Sequence, residues 1–167
     1  MSGMAAHPLV DEVLKKAAVA WVSAGGRPAS AVWCLAVDGV LHVVSGAGEQ
    51  AAPGLADAAT ARVTLRGDHG GAVVEWEAAV SRLTPADPAW DDVATQLAGK
   101  RLNASGSAAE LVARWAKECA ISRLTPVPDE ALTGAALPAS SQAAPPRESP
   151  AARPARKPFR LHRVRRR

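Results

Sequence analysis

The 167-residue sequence has no tyrosine, one phenylalanine and only two cysteines. It also lacks a long apolar run: no stretch approaches the roughly 18–20 residues that a bilayer span requires, which argues against a membrane helix. The opening Met-Ser-Gly-Met-Ala-Ala-His-Pro has neither a basic flank nor an apolar core, so secretion is not expected. Cys34 and Cys119 stand far apart and neither belongs to a Cys-x-x-Cys pair. His7, His42, His69 and His162 are scattered, so no structural zinc spacing exists. A cytoplasmic protein with reduced thiols is the resulting expectation. No Ser-His-Asp or Cys-His arrangement occurs at a defined spacing.

Charge is unevenly spread. Residues 1–125 hold eleven basic against thirteen acidic residues, a net of −2. Residues 126–167 hold nine basic against three acidic residues, a net of +6. The first 125 residues therefore offer no basic surface of the kind nucleic acid selects. From Pro126 onward lie eight of the thirteen prolines, with Ala, Ser and Arg and no apolar periodicity. Such a segment buries too little surface to offset its ordering entropy, so 127–167 reads as a disordered tail beyond a domain of 1–126. Its Arg-rich end could attract nucleic acid or anionic lipid nonspecifically, but one aromatic, Phe159, does not make a recognition module. Arginine outnumbers lysine by 15 to 5 and alanine is abundant, as in GC-rich bacterial genomes.

The domain alternates clearly. Leu9 to Val19 reads as a short helix, with Pro8 suited to its first turn, Asp11 and Glu12 at its start and Lys15 and Lys16 towards its end. Six strands follow: Ala18–Ser23, Ala29–Val37, Val40–Val44, Arg62–Arg66, Ala72–Leu83 and Glu118–Leu124. The second is apolar on both faces, so it is expected to be central or covered twice. Asp38-Gly39 is a two-residue hairpin signal. Val74, Trp76, Ala78 and Val80 share one face of the fifth strand, opposite Glu75 and Glu77. That acidic pair reads more simply as a solvated face than as acid–base chemistry. A short helical stretch is expected around Leu55–Ala58. Two helices are expected before the last strand: one opened by Asp87-Pro88, one capped by Ser107 with Glu110 completing a capping box. Ser-Arg-Leu-Thr-Pro occurs at 81–85 and 122–126, without a longer repeat. Hairpins dominate, which predicts a mainly β chain with peripheral helices.

The order and spacing of several pieces carry a resemblance: Val19-Ala-Trp-Val-Ser23, Gly26-Arg-Pro28, Ser30-Ala-Val-Trp33, Val37-Asp-Gly-Val40, Val43-Val-Ser-Gly46, Ala61-Arg-Val-Thr-Leu65 and Val74-Glu-Trp-Glu-Ala-Ala-Val80. Over Leu9 to Pro126 the chain resembles the pyridoxamine 5′-phosphate oxidase-like family of FMN-binding split β-barrels, particularly its small actinobacterial members. The resemblance implies a six-stranded antiparallel split β-barrel and a homodimer with FMN or a deazaflavin coenzyme at its interface. An oxidoreductase acting on a small molecule follows, in which the coenzyme ring carries the hydride chemistry and no catalytic side chain is required.

The resemblance also implies a phosphate site after the third strand, on a segment like T-x-R-x-S-x-K. Here Ser45 stands at the Thr, Ala47 at the Arg, Glu49 at the Ser and Ala51 at the Lys. Both cations are replaced, and a carboxylate stands where a neutral donor is expected. The candidate coenzyme residues are Ser45, Gly46, Gly48, Glu49 and Gln50 in the loop, Lys100 and Arg101 as compensating cations, and Trp33 beside the ring. A Trp on a doubly covered strand is, however, more often core or dimer contact. His42 is expected to face a neighbour or solvent, and Cys34 to be a buried small hydrophobe. The altered loop keeps a second class open: a cofactor-free or altered-ligand binding module on the same barrel.

Overall fold

A computed structural model describes residues 8–67, 71–127 and 131–137. Helix α1 spans Pro8–Leu14. The strands are β1 (Val19–Ala24), β2 (Ser30–Trp33), β3 (Leu35–Val37) and β4 (Val40–Gly46), then β5 (Thr60–Arg66) and β6 (Ala72–Leu83). Helices α2 (Trp90–Lys100) and α3 (Ala108–Glu118) follow, then β7 (Cys119–Pro126) and a two-residue β8 (Leu132–Thr133). A 3₁₀ turn at Leu55–Asp57 precedes β5. The chain is mainly β, as expected, with a curled antiparallel sheet and a few helices.

The described residues hold eight strands, not the six expected. One addition comes from a break at Cys34. Its N–H donates to the Ala18 carbonyl at 3.0 Å, which ends β2 on β1 and sends β3 to β4. The strand order is β2-β1-β5-β6-β7-β4-β3, every pair antiparallel. Strands β2 and β3 are thus the two ends of the sheet, yet one residue joins them. The sheet must curl until its edges meet. The expected doubly covered strand is therefore not central. It is covered twice because Val32 and Cys34 face the barrel interior while Trp33, Leu35 and Val37 pack towards α2 and α3. The strand buried on both faces is β4.

The second addition lies in the segment read as the start of the tail. Strand β6 is twelve residues long, and β7 pairs only with Ala78–Leu83, leaving the same edge of its first half open. Leu132 and Thr133 pair there with Glu75 and Val74, which covers part of that edge. Residues 138–167, which hold most of the basic tail, lie outside the described residues.

Local signals account for the rest. Asp38 and Gly39 both adopt positive φ (49° and 78°), as a type I′ hairpin turn requires. The Ser107 hydroxyl accepts from the Glu110 N–H and the Glu110 carboxylate accepts from the Ser107 N–H, the expected capping box. Helix α2 starts at Trp90, two residues after the expected Asp87-Pro88 opening; its N-cap Ala89 makes no side-chain cap, and the Asp87 carboxylate accepts instead from the Thr84 N–H (2.7 Å) and hydroxyl (2.9 Å) in the preceding turn. The two Ser-Arg-Leu-Thr-Pro segments lie antiparallel on β6 and β7, with Arg123 Nε donating to Ser81 Oγ at 3.2 Å.

Two apolar clusters result. One fills the barrel and includes Val10, Leu14, Val43, Val63, Trp76 and Leu124. The other lies between the helices and the outer face of β4 and β7, around Val44, Leu97, Trp115 and Ile121. Fully burying one such side chain is worth roughly 1.5–3 kcal/mol. The helices therefore fix the outer face of β4, and with it the loop that follows.

Candidate functional site

The loop Ser45–Gly54 leaves β4 at Gly46 and is held from below by α3. Gly46, at φ 136°, passes so close to β7 that a Cβ would sit 2.9 Å from the Cys119 Cα and the Glu118 carbonyl oxygen. The Glu49 N–H closes a turn on the Gly46 carbonyl at 3.0 Å. Arg114 Nη1 donates to the Ala47 carbonyl. Gly48, at φ 71°, lies against that guanidinium. These two candidate glycines are thus occupied with packing inside the chain.

Glu49 turns inward, and its side chain is 0 % exposed. Its Oε1 accepts from Arg114 Nη2 (2.6 Å) and Trp115 Nε1 (3.0 Å), and its Oε2 from Arg101 Nε (2.8 Å). Burial pushes its carboxyl up, but the Trp115 N–H and the two guanidinium groups outweigh this and hold it below the usual carboxylate range. Arg101, read from the sequence as a cation compensating a phosphate near Glu49, is paired with Glu49 itself. Lys100 makes no ion pair with Glu49. With two arginines on one carboxylate, Glu49 no longer sets a negative field for a ligand in the loop.

Gln50 is also committed to the protein. Its amide bonds the N–H and carbonyl of Trp33 and the carbonyl of Val44. Trp33 itself is half-buried, its ring 6.4 Å from that of Trp115 and beneath Arg101, whose Cζ lies 6.0 Å from the ring centroid.

The candidate residues accordingly divide between two clefts. A loop cleft of about 560 Å³ is lined by Ser45, Gly46, Glu49 and Gln50. A second cleft of about 490 Å³ is lined by Trp33, Lys100 and Arg101. The Glu49–Arg101 and Gln50–Trp33 contacts join residues of one cleft to residues of the other. Gly48 lines neither.

Two cations that the sequence reading missed line the loop cleft: Arg82, exposed on β6, and Lys117, in the last turn of α3. Arg82 Nη2 donates to the Cys119 carbonyl at 3.3 Å, which places its guanidinium across from the loop. The loop therefore lacks its own cations but receives two from neighbouring elements, against one further carboxylate, Glu118. No local spacing signals this, because the groups meet only through the β4–β7 pairing of Gly46 with Cys119. The volume falls within the range of small-ligand sites, and the charge suits a phosphate.

Other groups fall outside the clefts or are inert. His42 is buried on β4, with Nδ1 3.1 Å from the Val40 carbonyl, not turned to solvent. Burial pushes the Cys34 thiol up to about 12, so it is a small hydrophobe, as expected. Glu75 accepts from the Thr64 hydroxyl at 2.9 Å and lies 3.7 Å from Arg62. Among the described residues no group of three or more His, Cys, Asp or Glu could hold a metal ion, and no helix is long and apolar enough to cross a membrane.

No protein-family model and no curated protein matches the sequence. Solved structures do match in fold. HutZ, the heme storage protein from Vibrio cholerae, superposes with a TM-score of 0.55 at 15 % identity, over 78 % of this chain and 95 % of HutZ. The conserved hypothetical protein Rv2991 from Mycobacterium tuberculosis gives 0.53 at 13 % identity, over 89 % and 95 %. A Listeria innocua protein assigned as a pyridoxamine 5′-phosphate oxidase gives 0.50 at 15 % identity, over 75 % and 97 %. These neighbours are split-barrel proteins of the pyridoxamine 5′-phosphate oxidase-like type, and this chain shares their fold.

Proposed function

We propose, from a fold shared with pyridoxamine 5′-phosphate oxidase-like split barrels, that this protein binds a phosphate-bearing flavin or deazaflavin coenzyme in the loop cleft and serves as an oxidoreductase for a small molecule. The observation that carries this reading is the pair Arg82 and Lys117 lining the same cleft as Ser45 and Gly46. Two cations facing a small-residue loop can hold a phosphate without any cation in the loop itself. Arg101 and Arg114 neutralise Glu49 and so remove the repulsion that its sequence position suggests. The coenzyme ring would supply hydride transfer. The chain's own part is to bind the phosphate, orient the ring and limit water beside it.

A homodimer belongs to this reading, because the resemblance places the coenzyme between two protomers. Trp33, Leu35 and Val37 are partly covered by α2 and α3 of the same chain. A cytoplasmic setting is supported by two free, buried cysteines. Nonspecific nucleic-acid contact by the tail falls outside the described residues.

A cofactor-free or altered-ligand module is favoured by one specific observation: the Glu49 and Gln50 side chains are spent on internal bonds. Titration of purified protein with FMN and with a deazaflavin, followed by absorbance and fluorescence, decides between these readings. Binding of either that weakens at least ~10-fold in Arg82→Ala or Lys117→Ala supports the coenzyme reading. No binding of either at ~100 μM would reject it. Light scattering that shows a monomer with coenzyme bound would remove the dimer.

A further inference from the structure

We infer that the second cleft is a separate binding site for a small amphiphilic anion, with a carboxylate or phosphate head and an apolar body. It lies where the chain leaves α1, bends at Cys34 and leaves α2. Its lining holds four cations, Lys15, Lys16, Lys100 and Arg101, and no carboxylate. Arg101 is paired with Glu49, but the three lysines are exposed and make no ion pair among the described residues.

Lysines at helix C-termini have an ordinary use, which is to offset the helix dipole. Two helix ends carry about −0.5 each, or about one negative charge together. Three unpaired lysines and a guanidinium exceed that requirement. The apolar surface is unexplained by it altogether. Leu102 is 78 % exposed and Val19 54 % exposed, and both line this cleft beside Trp33 and Leu35. Exposed apolar side chains beside unpaired cations, in a concavity of about 490 Å³, match an anion with a hydrocarbon or ring body.

The same surface fits a second copy of the chain poorly. The lining holds no acid, so a second copy would have to bring carboxylates from elsewhere on its surface to meet these cations. Charge complementarity therefore selects an anionic occupant. A concave site of this volume selects a single soluble molecule and not a flat bilayer surface.

Decyl phosphate, kept below its micelle concentration, is a suitable probe by calorimetry on the full chain. Decanol and inorganic phosphate serve as half-probes that carry only one of the two features. We expect decyl phosphate to bind at least ~10-fold tighter than either half-probe. Lys16→Glu/Lys100→Glu and, separately, Leu102→Asp should each weaken it at least ~10-fold, while Arg82→Ala/Lys117→Ala leaves it unchanged. All of these side chains are exposed, and circular dichroism confirms that each variant is folded. Equal binding of inorganic phosphate would show a mere charged surface and overturn the proposal. So would loss of binding in Arg82→Ala/Lys117→Ala, which would place the ligand in the loop cleft. A ligand-free dimer that Leu102→Asp dissociates would make this face a subunit interface. Sedimentation with phosphatidylglycerol vesicles that is abolished by Lys16→Glu/Lys100→Glu, without binding of decyl phosphate, would make it a membrane contact.

Discussion

Gln50 hydrogen-bonds both backbone groups of Trp33, its Oε1 accepting the N–H at 2.7 Å and its Nε2 donating to the carbonyl at 2.8 Å. The same Nε2 donates to the Val44 carbonyl at 3.0 Å. One side-chain amide thus takes the place of a strand where the edge β2 approaches β4, and closes the barrel at its split. A primary amide suits the task because it offers an acceptor and two donors on one plane.

Replacement of Gln50 tests that closure. Gln50→Ala leaves the N–H and carbonyl of Trp33 without this partner and should cost about 1–3 kcal/mol in urea unfolding. Gln50→Glu keeps the acceptor but sets a carboxylate oxygen against two carbonyls, so at neutral pH it should be no better than Gln50→Ala. On acidification the carboxyl gains a donor, and the Gln50→Glu variant should recover stability relative to Gln50→Ala. An unchanged midpoint in either variant would show that the split is held elsewhere.

Glu49 predicts an acid-sensitive step. Its folded carboxyl lies below the ordinary value of 4.5, so its contribution is complete above 4.5 and is lost as pH falls below it. Glu49→Gln should flatten the stability profile in that window. At neutral pH, removal of the carboxylate leaves Arg101 and Arg114 facing each other, at a cost of about 3–5 kcal/mol. Added salt should do little to the native contact, because the carboxylate is covered.

These contacts mark the limit of what the sequence could show. The Asp38-Gly39 turn, the Ser107–Glu110 capping box and the Val74–Trp76–Ala78 face are set by near neighbours, and each was legible. The break at Cys34 was not, because both halves of 29–37 are equally apolar and the choice of partner strand decides where one ends. Glu49 meets Arg114 across 65 residues and Arg101 across 52, so its role depends on how the helices dock. Arg82 was hidden for the same reason. The loop's missing cations were legible; their replacements, carried on β6 and α3, were not.

His42 gives a second pH window, distinct from that of Glu49. Burial pushes its imidazole below the ordinary 6.5, aided by the Arg123 charge and opposed by the Val40 and Leu35 carbonyls and Asp38. The unfolded chain therefore binds this proton more readily than the folded one. Stability attributable to His42 is complete above 6.5 and declines as pH falls below it. His42→Leu should remove that slope while leaving the steeper loss below 4.5 in place. Thermal unfolding measured across both windows separates the two groups, and an unaltered slope in His42→Leu would assign the first window elsewhere.

Gly46 and Gly48 are both candidate coenzyme residues, but they should respond differently to alanine. At Gly46 the added carbon would lie 2.9 Å from the Cys119 Cα of β7 and from the Glu118 carbonyl oxygen at the end of α3, and main chain at this helix–strand junction cannot step aside. At Gly48 it would lie 2.6 Å from Arg114 Nη1, the end of a long side chain that can move. Both glycines also lose a positive φ, which costs on the order of 1–3 kcal/mol at each position. Gly46→Ala should therefore exceed that range and lower the unfolding midpoint most. Gly48→Ala should stay within it and act chiefly by displacing Arg114 from Glu49. Urea midpoints of the two variants, and of each combined with Arg114→Ala, test this ordering. Non-additivity confined to the Gly48→Ala pair would confirm that Gly48 acts through Arg114 and Gly46 through β7.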